Sequence, residues 1–239
     1  MSIKDKIAIV QQQLKQAAIL SGRTQEDIRL IAVSKTKSTE MILQALAAGQ
    51  SAFGENRVQE ALGKIEDLTK LPLVEWHLIG HLQKNKVKFC PGNFQWIHTI
   101  DSTELVEKLE ARSAFAQKKI NVLLQVNLSR EITKSGLHDW EDILQVSETI
   151  LSGKWLKLRG LMTIPPPNIG ETPTRKIYEK LRLWRDKLKQ DLDSPEITEL
   201  SMGMTADFHW AIQEGATMIR VGSAIFGERN EDMDYPTNM

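Results

Sequence analysis

The chain lacks most of what would mark a secreted, membrane-spanning or nucleic-acid-binding protein. One cysteine, Cys90, stands among 239 residues, so no intrachain disulfide can form and a reducing compartment is expected. No apolar run approaches the roughly 20 residues needed to cross a bilayer. The opening Met1-Ser2-Ile3-Lys4-Asp5-Lys6 mixes charges where a signal peptide would be uninterrupted. An excess of one charge is missing too: 31 Lys and Arg against 31 Asp and Glu leave a formal net charge of +0, which draws the chain to no polyanion. There is no low-complexity tract, internal repeat or dividing linker. The expectation is a cytoplasmic protein, residues 1–239 forming a single domain, with neither nucleic acid nor membrane as a partner.

What the chain does have is regular alternation of strand and helix patterns. Apolar positions Ile7, Val10, Leu14, Ala17 and Ala18 predict a leading helix over 4–20. Strands are predicted at 30–34, 51–54, 76–80, 96–100, 121–128, 158–163, 197–201 and 217–221, the fifth being the longest. Helices are predicted between them, including a basic one over 84–89, one capped by Asp101 or Ser102, and one over 174–189 after the extended Pro165-Pro166-Pro167. Eight strand–helix units in this length match an α/β fold of the (β/α)8 TIM-barrel type. An open doubly wound sheet is the alternative, but the turn after the first strand, Ser34-Lys35-Thr36-Lys37, has no glycine.

Lys35 ends the first strand, and a lysine there needs either a partner for its charge or a role as an amine. Strands seven and eight end in Ser201-Met202-Gly203 and Arg220-Val221-Gly222-Ser223. Glycines let backbone N–H groups approach a dianion and serines add donors, so these ends form a candidate phosphate cradle, although both glycines could serve only as turn residues. Barrel closure sets strand one beside strand eight, facing the amine toward the cradle. An amine opposite a phosphate site points to an aldehyde-bearing phosphate, pyridoxal 5'-phosphate (PLP). Lys37 would share a face with Lys35 if the strand persisted, and its charge would lower the Lys35 pKa. It could then help pass the aldehyde on or off Lys35, or it stands as a solvated loop lysine. Arg220 should point inward, toward either a pyridine nitrogen or an ion-pair partner such as Glu55 or Glu75.

These residues carry a resemblance. Ala32-Val33-Ser34-Lys35, Phe53-Gly54-Glu55-Asn56, the run from His77 to Lys86, Gly160-Leu161-Met162-Thr163-Ile164, Ser201-Met202-Gly203-Met204 and Gly222-Ser223-Ala224-Ile225-Phe226-Gly227 occur in order over nearly the whole chain. Together they resemble the PLP homeostasis proteins (the YggS/PROSC family). The resemblance implies a PLP fold-type III barrel similar to the alanine racemase N-terminal domain. It implies a PLP Schiff base on Lys35, phosphate contacts at Ser201, Gly222 and Ser223, Arg220 beside the ring nitrogen, and Asn56 near the cofactor. It also implies buffering or delivery of PLP, with influence on amino-acid and keto-acid balance and no established turnover. Alanine racemase uses a tyrosine from an added C-terminal β domain; here the chain stops soon after strand eight, and neither Tyr178 nor Tyr235 is well placed. The expectation is therefore a non-catalytic monomer whose partners are PLP, apo forms of PLP-dependent enzymes and a regulatory protein. A PLP-dependent racemase and a Schiff-base aldolase remain the enzymatic alternatives.

Other residues read more plainly. His77 and His81 lack the carboxylate or cysteine that would complete a metal site, and His77 reads as a hydrogen-bonded core residue. Lys84, Lys86 and Lys88 form a solvated helix face or an anion patch. Lys134 is similar to a family lysine and could contact an anion, and Asp207 should support a helix N-terminus.

Overall fold

The alternation resolves into a closed barrel. The computed structural model describes residues 1–69, 71, 74–129 and 135–228. In chain order the elements are α1 (Ile3–Leu20), β1 (Arg29–Val33), α2 (Thr39–Ala47), β2 (Ala52–Glu55), α3 (Val58–Asp67), β3 (Glu75–Leu78), β4 (Trp96–Ile100), α4 (Thr103–Ala116), β5 (Ile120–Gln125), α5 (Trp140–Leu151), β6 (Leu156–Met162), α6 (Glu171–Asp191), β7 (Glu199–Ser201), α7 (Phe208–Gln213), β8 (Met218–Val221) and α8 (Ser223–Phe226). Each strand pairs in parallel with the next, and β1 pairs with β8 to close the ring, Ala32 opposite Val221.

Alternation along the strands sorts the core into two layers. Ile31, Ala52, Trp96, Leu123, Met162 and Met218 fill the lumen. A larger shell, including Phe53, Leu78, Ile97, Leu124, Leu161 and Leu200, faces the helices. Helix α1 packs against α2, α7 and α8 by burying Ile7, Val10, Leu14, Ala17 and Ala18, and a Ser2–Asp5 capping box starts it.

Several boundaries differ from those predicted. Residues Lys84–Phe89 form a 3₁₀ segment rather than an α-helix. The longest strand is β6, at seven residues, while β5 stops at Gln125. Helix α6 begins at Glu171, so Pro173 falls inside its first turn, where no intrahelical bond is lost. Of the two candidate caps before α4, Ser102 is the one used, its hydroxyl accepting from the Leu105 N–H. Among the described residues, no helix is long and apolar enough to cross a membrane.

Candidate functional site

Strand β1 ends at Val33, so Lys35 sits two residues past the strand rather than on it. The Lys37 N–H donates to the Ser34 carbonyl at 3.0 Å, and Thr36 takes a left-handed φ of 62°. This turn ends the strand alternation, so nothing sets Lys35 and Lys37 on one face. Lys37 Nζ instead donates to the Glu228 carbonyl at 2.8 Å. Burial and the neighbouring Lys6 charge lower its pKa. Lys35 itself is half-buried in the turn.

The turn is held from below. Ser34 is buried and donates through its hydroxyl to Glu55 Oε1 at 2.5 Å. Lys64, on α3, donates to the Ser34 carbonyl at 2.7 Å, to Glu55 at 2.8 Å and to Glu60 at 2.7 Å. Glu60 also accepts from the Thr36 N–H at 2.5 Å. Burial raises the Glu55 pKa against the pull of Lys64.

Across the closure, the register carries Val33 next to Gly222: a Cβ on Gly222 would lie 3.3 Å from both the Val33 carbonyl oxygen and Val33 Cβ. The loops after β7 and β8 are tied together, because the Arg220 N–H donates to the Gly203 carbonyl at 3.0 Å and Ser223 Oγ lies 3.3 Å from Thr205 Oγ1. Gly203 has φ +93°, and a Cβ there would meet Ala211 Cβ at 2.6 Å. Asp207 precedes α7 but makes no capping bond to it; its carboxylate accepts from the Met204 N–H at 2.6 Å and shapes the loop after β7. Asn56 is pinned by Gly80, where a Cβ would fall 2.2 Å from the Asn56 carbonyl oxygen.

Arg220 points into the lumen, 4% exposed, but meets neither Glu55 nor Glu75. It donates to Ser201 Oγ at 2.6 Å and to the Thr163 carbonyl at 2.9 Å. The Ser201 hydroxyl is thus in the lumen beside Arg220, 2.9 Å from His98 Nδ1. His98 Nε2 is 2.9 Å from His77 Nδ1, and His77 Nε2 is 2.7 Å from Glu75 Oε1, where Arg29 also donates at 2.7 Å. Both histidines are fully buried, so His77 is the hydrogen-bonded core residue expected of it. His98 escaped sequence reasoning: nothing in a strand pattern reveals which residue it meets across the lumen.

The remaining candidates are dispersed. Tyr178 is buried on α6, and burial together with Asp207 raises its pKa far above the usual phenol range. His81 lies 3.6 Å from Asp101. Lys84 pairs with Glu104, so the basic run is partly neutralised. Among the described residues, no cluster of three His, Cys, Asp or Glu side chains could hold a metal. Lys134 and Tyr235 lie outside the described residues. A cleft of about 960 Å³ flanks the mouth, bordered by Lys37, Asn56, Arg57, His81 and Lys86.

The arrangement sets the turn that carries Lys35 next to the loop after β8 at the C-terminal end of a barrel, with Arg220 buried in the lumen. Residues 10–230 match the family described as alanine racemase, N-terminal domain. A protein of Pasteurella multocida named pyridoxal phosphate homeostasis protein is 41% identical over 232 residues, 96% of this chain and 99% of that one. The chain belongs to the pyridoxal phosphate homeostasis protein family. An Escherichia coli K12 member is 38% identical over 95% of this chain and 97% of its own length. The structure of PipY from Synechococcus elongatus with PLP bound superposes with a TM-score of 0.83 at 36% identity, covering 95% of this chain and all of that one. A Clostridium difficile alanine racemase shares the fold, with a TM-score of 0.74 at 16% identity, and this chain covers 58% of it.

Proposed function

We propose that this protein binds pyridoxal 5'-phosphate at the barrel mouth and serves to buffer and deliver it. The observation that carries the reading is the closure of β1 on β8, which sets the Lys35 turn beside the Gly222–Ser223 loop. The residue types fit the ligand: a lysine on the turn after β1, glycines and hydroxyls on the loops after β7 and β8, and a buried guanidinium on β8. When bound, the cofactor would supply an electrophilic aldehyde and a phosphate dianion.

In this reading the binding residues are Lys35, Asn56, Ser201, Gly203, Arg220, Gly222 and Ser223. Lys35 offers the nucleophilic amine, and the Glu55–Lys64–Glu60 network fixes the turn that presents it. Gly203 and Gly222 bring backbone N–H groups close to the dianion, and Ser223 and Thr205 add hydroxyl donors. Arg220, permanently charged, would meet the ring nitrogen and keep it unprotonated. Asn56, held by Gly80, would line the same site.

Storage and delivery rather than turnover is supported by Tyr178. Racemisation needs an acid or base on each face of the substrate plane. The Tyr178 hydroxyl is buried and holds its proton tightly. The protein is read as a cytoplasmic monomer that passes the cofactor to apo-enzymes, with a regulatory protein as a further partner. Cys90, buried and with its thiol pushed up to about 12, suits a reducing compartment.

The test is borohydride reduction of the PLP-loaded protein followed by peptide mass spectrometry. The expected result is a single adduct on Lys35, lost in Lys35→Ala, with D- and L-amino acids left unchanged by the native protein. An adduct on another lysine, or none, would refute the assignment.

A further inference from the structure

The hydrogen bonds that run from Glu75 to Arg220 admit only one direction. Arginine can only donate, and a carboxylate can only accept. Working from Arg220, its N–H goes to Ser201 Oγ, so the single Ser201 hydrogen is left for His98 Nδ1. A neutral His98 that accepts at Nδ1 must carry its proton on Nε2 and donate to His77 Nδ1. His77 then carries its proton on Nε2 and donates to Glu75. Working upward from the Glu75 carboxylate gives the same assignment at every link. Side chains from β8, β7, β4 and β3 are thereby locked in one sense. The His98–Ser201 bond crosses the lumen between strands that are not neighbours.

We propose that Glu75, His77 and His98 are positioning residues that orient the Ser201 hydroxyl as an acceptor for Arg220 and thereby set the guanidinium beneath the barrel mouth. In consequence Ser201 serves the ring end of the site, its hydrogen being committed to His98, and the phosphate hydroxyl donors are Ser223 and Thr205. This rests on the reading that Arg220 faces the cofactor ring. Burial favours the neutral imidazoles that the chain requires, and the charges of Arg220 and Arg29 act on His98 in the same sense. Trp96 stacks on His77 at 5.8 Å between centroids, leaving that ring little freedom to turn.

Two measurements test the proposal. In the unliganded native protein, ¹⁵N NMR of labelled histidines should show His77 and His98 both neutral and protonated on Nε2 at neutral pH. An Nδ1-protonated tautomer or an imidazolium at either ring overturns the chain, whether or not the protein binds PLP. In the loaded protein, His98→Leu removes both bonds, whereas His98→Gln can accept from Ser201 and donate to His77. His98→Leu should shift the cofactor absorption band and weaken PLP binding about tenfold, the order expected for one lost hydrogen bond to a charged group, and His98→Gln should restore most of both. Folded His98→Leu with native spectrum and affinity would refute the positioning role. Failure of the native protein to bind PLP would instead count against the proposed function, and the NMR result would still decide the chain.

Discussion

Lys64 Nζ lies 2.8 Å from Glu55 Oε1 in the space between barrel and helix, and the same ammonium holds the Ser34 carbonyl at 2.7 Å. A surface strand end has thus become a fixed platform for the Lys35 turn. Removing one partner of a buried pair strands the other charge, so Lys64→Met should destabilise the fold by about 3–5 kcal/mol. Replacing both, as Glu55→Gln with Lys64→Met, should recover part of that loss. Urea unfolding of the single and double variants checks it.

The same carboxylate gives a pH signature. Glu55 holds its proton more tightly folded than unfolded, so unfolding releases a proton. The native protein should therefore lose stability relative to Glu55→Gln as pH rises through and above the ordinary carboxylate range, near about 4.3. A stability difference that does not change with pH would contradict the raised pKa.

His77 and His98 act in the opposite sense. Burial depresses both, so the folded state declines protons that the unfolded chain takes up. Stability should fall as pH drops through the unfolded imidazole value, about 6.5. Denaturation free energies measured from about pH 7.5 down to about pH 5.5 should decline, and a His77→Gln/His98→Gln variant should show a flatter profile over the same range.

At Gly203 a side chain has no room. Its φ of +93° and the 2.6 Å approach to Ala211 Cβ would force α7 outward, so Gly203→Ala should cost about 2–4 kcal/mol. Because α7 and the loop after β7 would move together, PLP affinity should fall with stability, measurable by titration beside thermal melts.

The two hydroxyls that meet between the last loops offer a selective probe. Ser223→Ala with Thr205→Val should weaken PLP binding by about tenfold or more while leaving pyridoxal binding nearly unchanged, since only the phosphorylated form reaches those donors. Equal loss for both ligands would place the hydroxyls elsewhere in the site.

Much of the architecture was legible in the chain because buried parallel strands read as short apolar runs, and their count, with the glycine-free turn after the first, favoured closure over an open sheet. Lys35, Gly203, Gly222 and Ser223 stand out as candidates for the same reason: they follow strand ends, where barrel loops gather. What escaped was contact across distance. Neither the Lys64 support nor the His98–Ser201 bond has a local signature, the latter joining residues 103 apart on strands facing across the lumen. A shared face for Lys35 and Lys37 depended on a strand that continued, and a strand pattern cannot announce its own end; the left-handed Thr36 turns the chain before a second lysine can align. The basic helix expected over 84–89 is there, but as a 3₁₀ segment, since its residue types suit either helix.

The joining of β1 to β8 has a consequence for biogenesis. The pocket draws on the earliest strand to leave the ribosome and the latest, so no partly synthesised barrel can possess it. Ligand capture by this scaffold would accordingly report a closed barrel, and a chain interrupted before β8 would leave the vitamin to competitors.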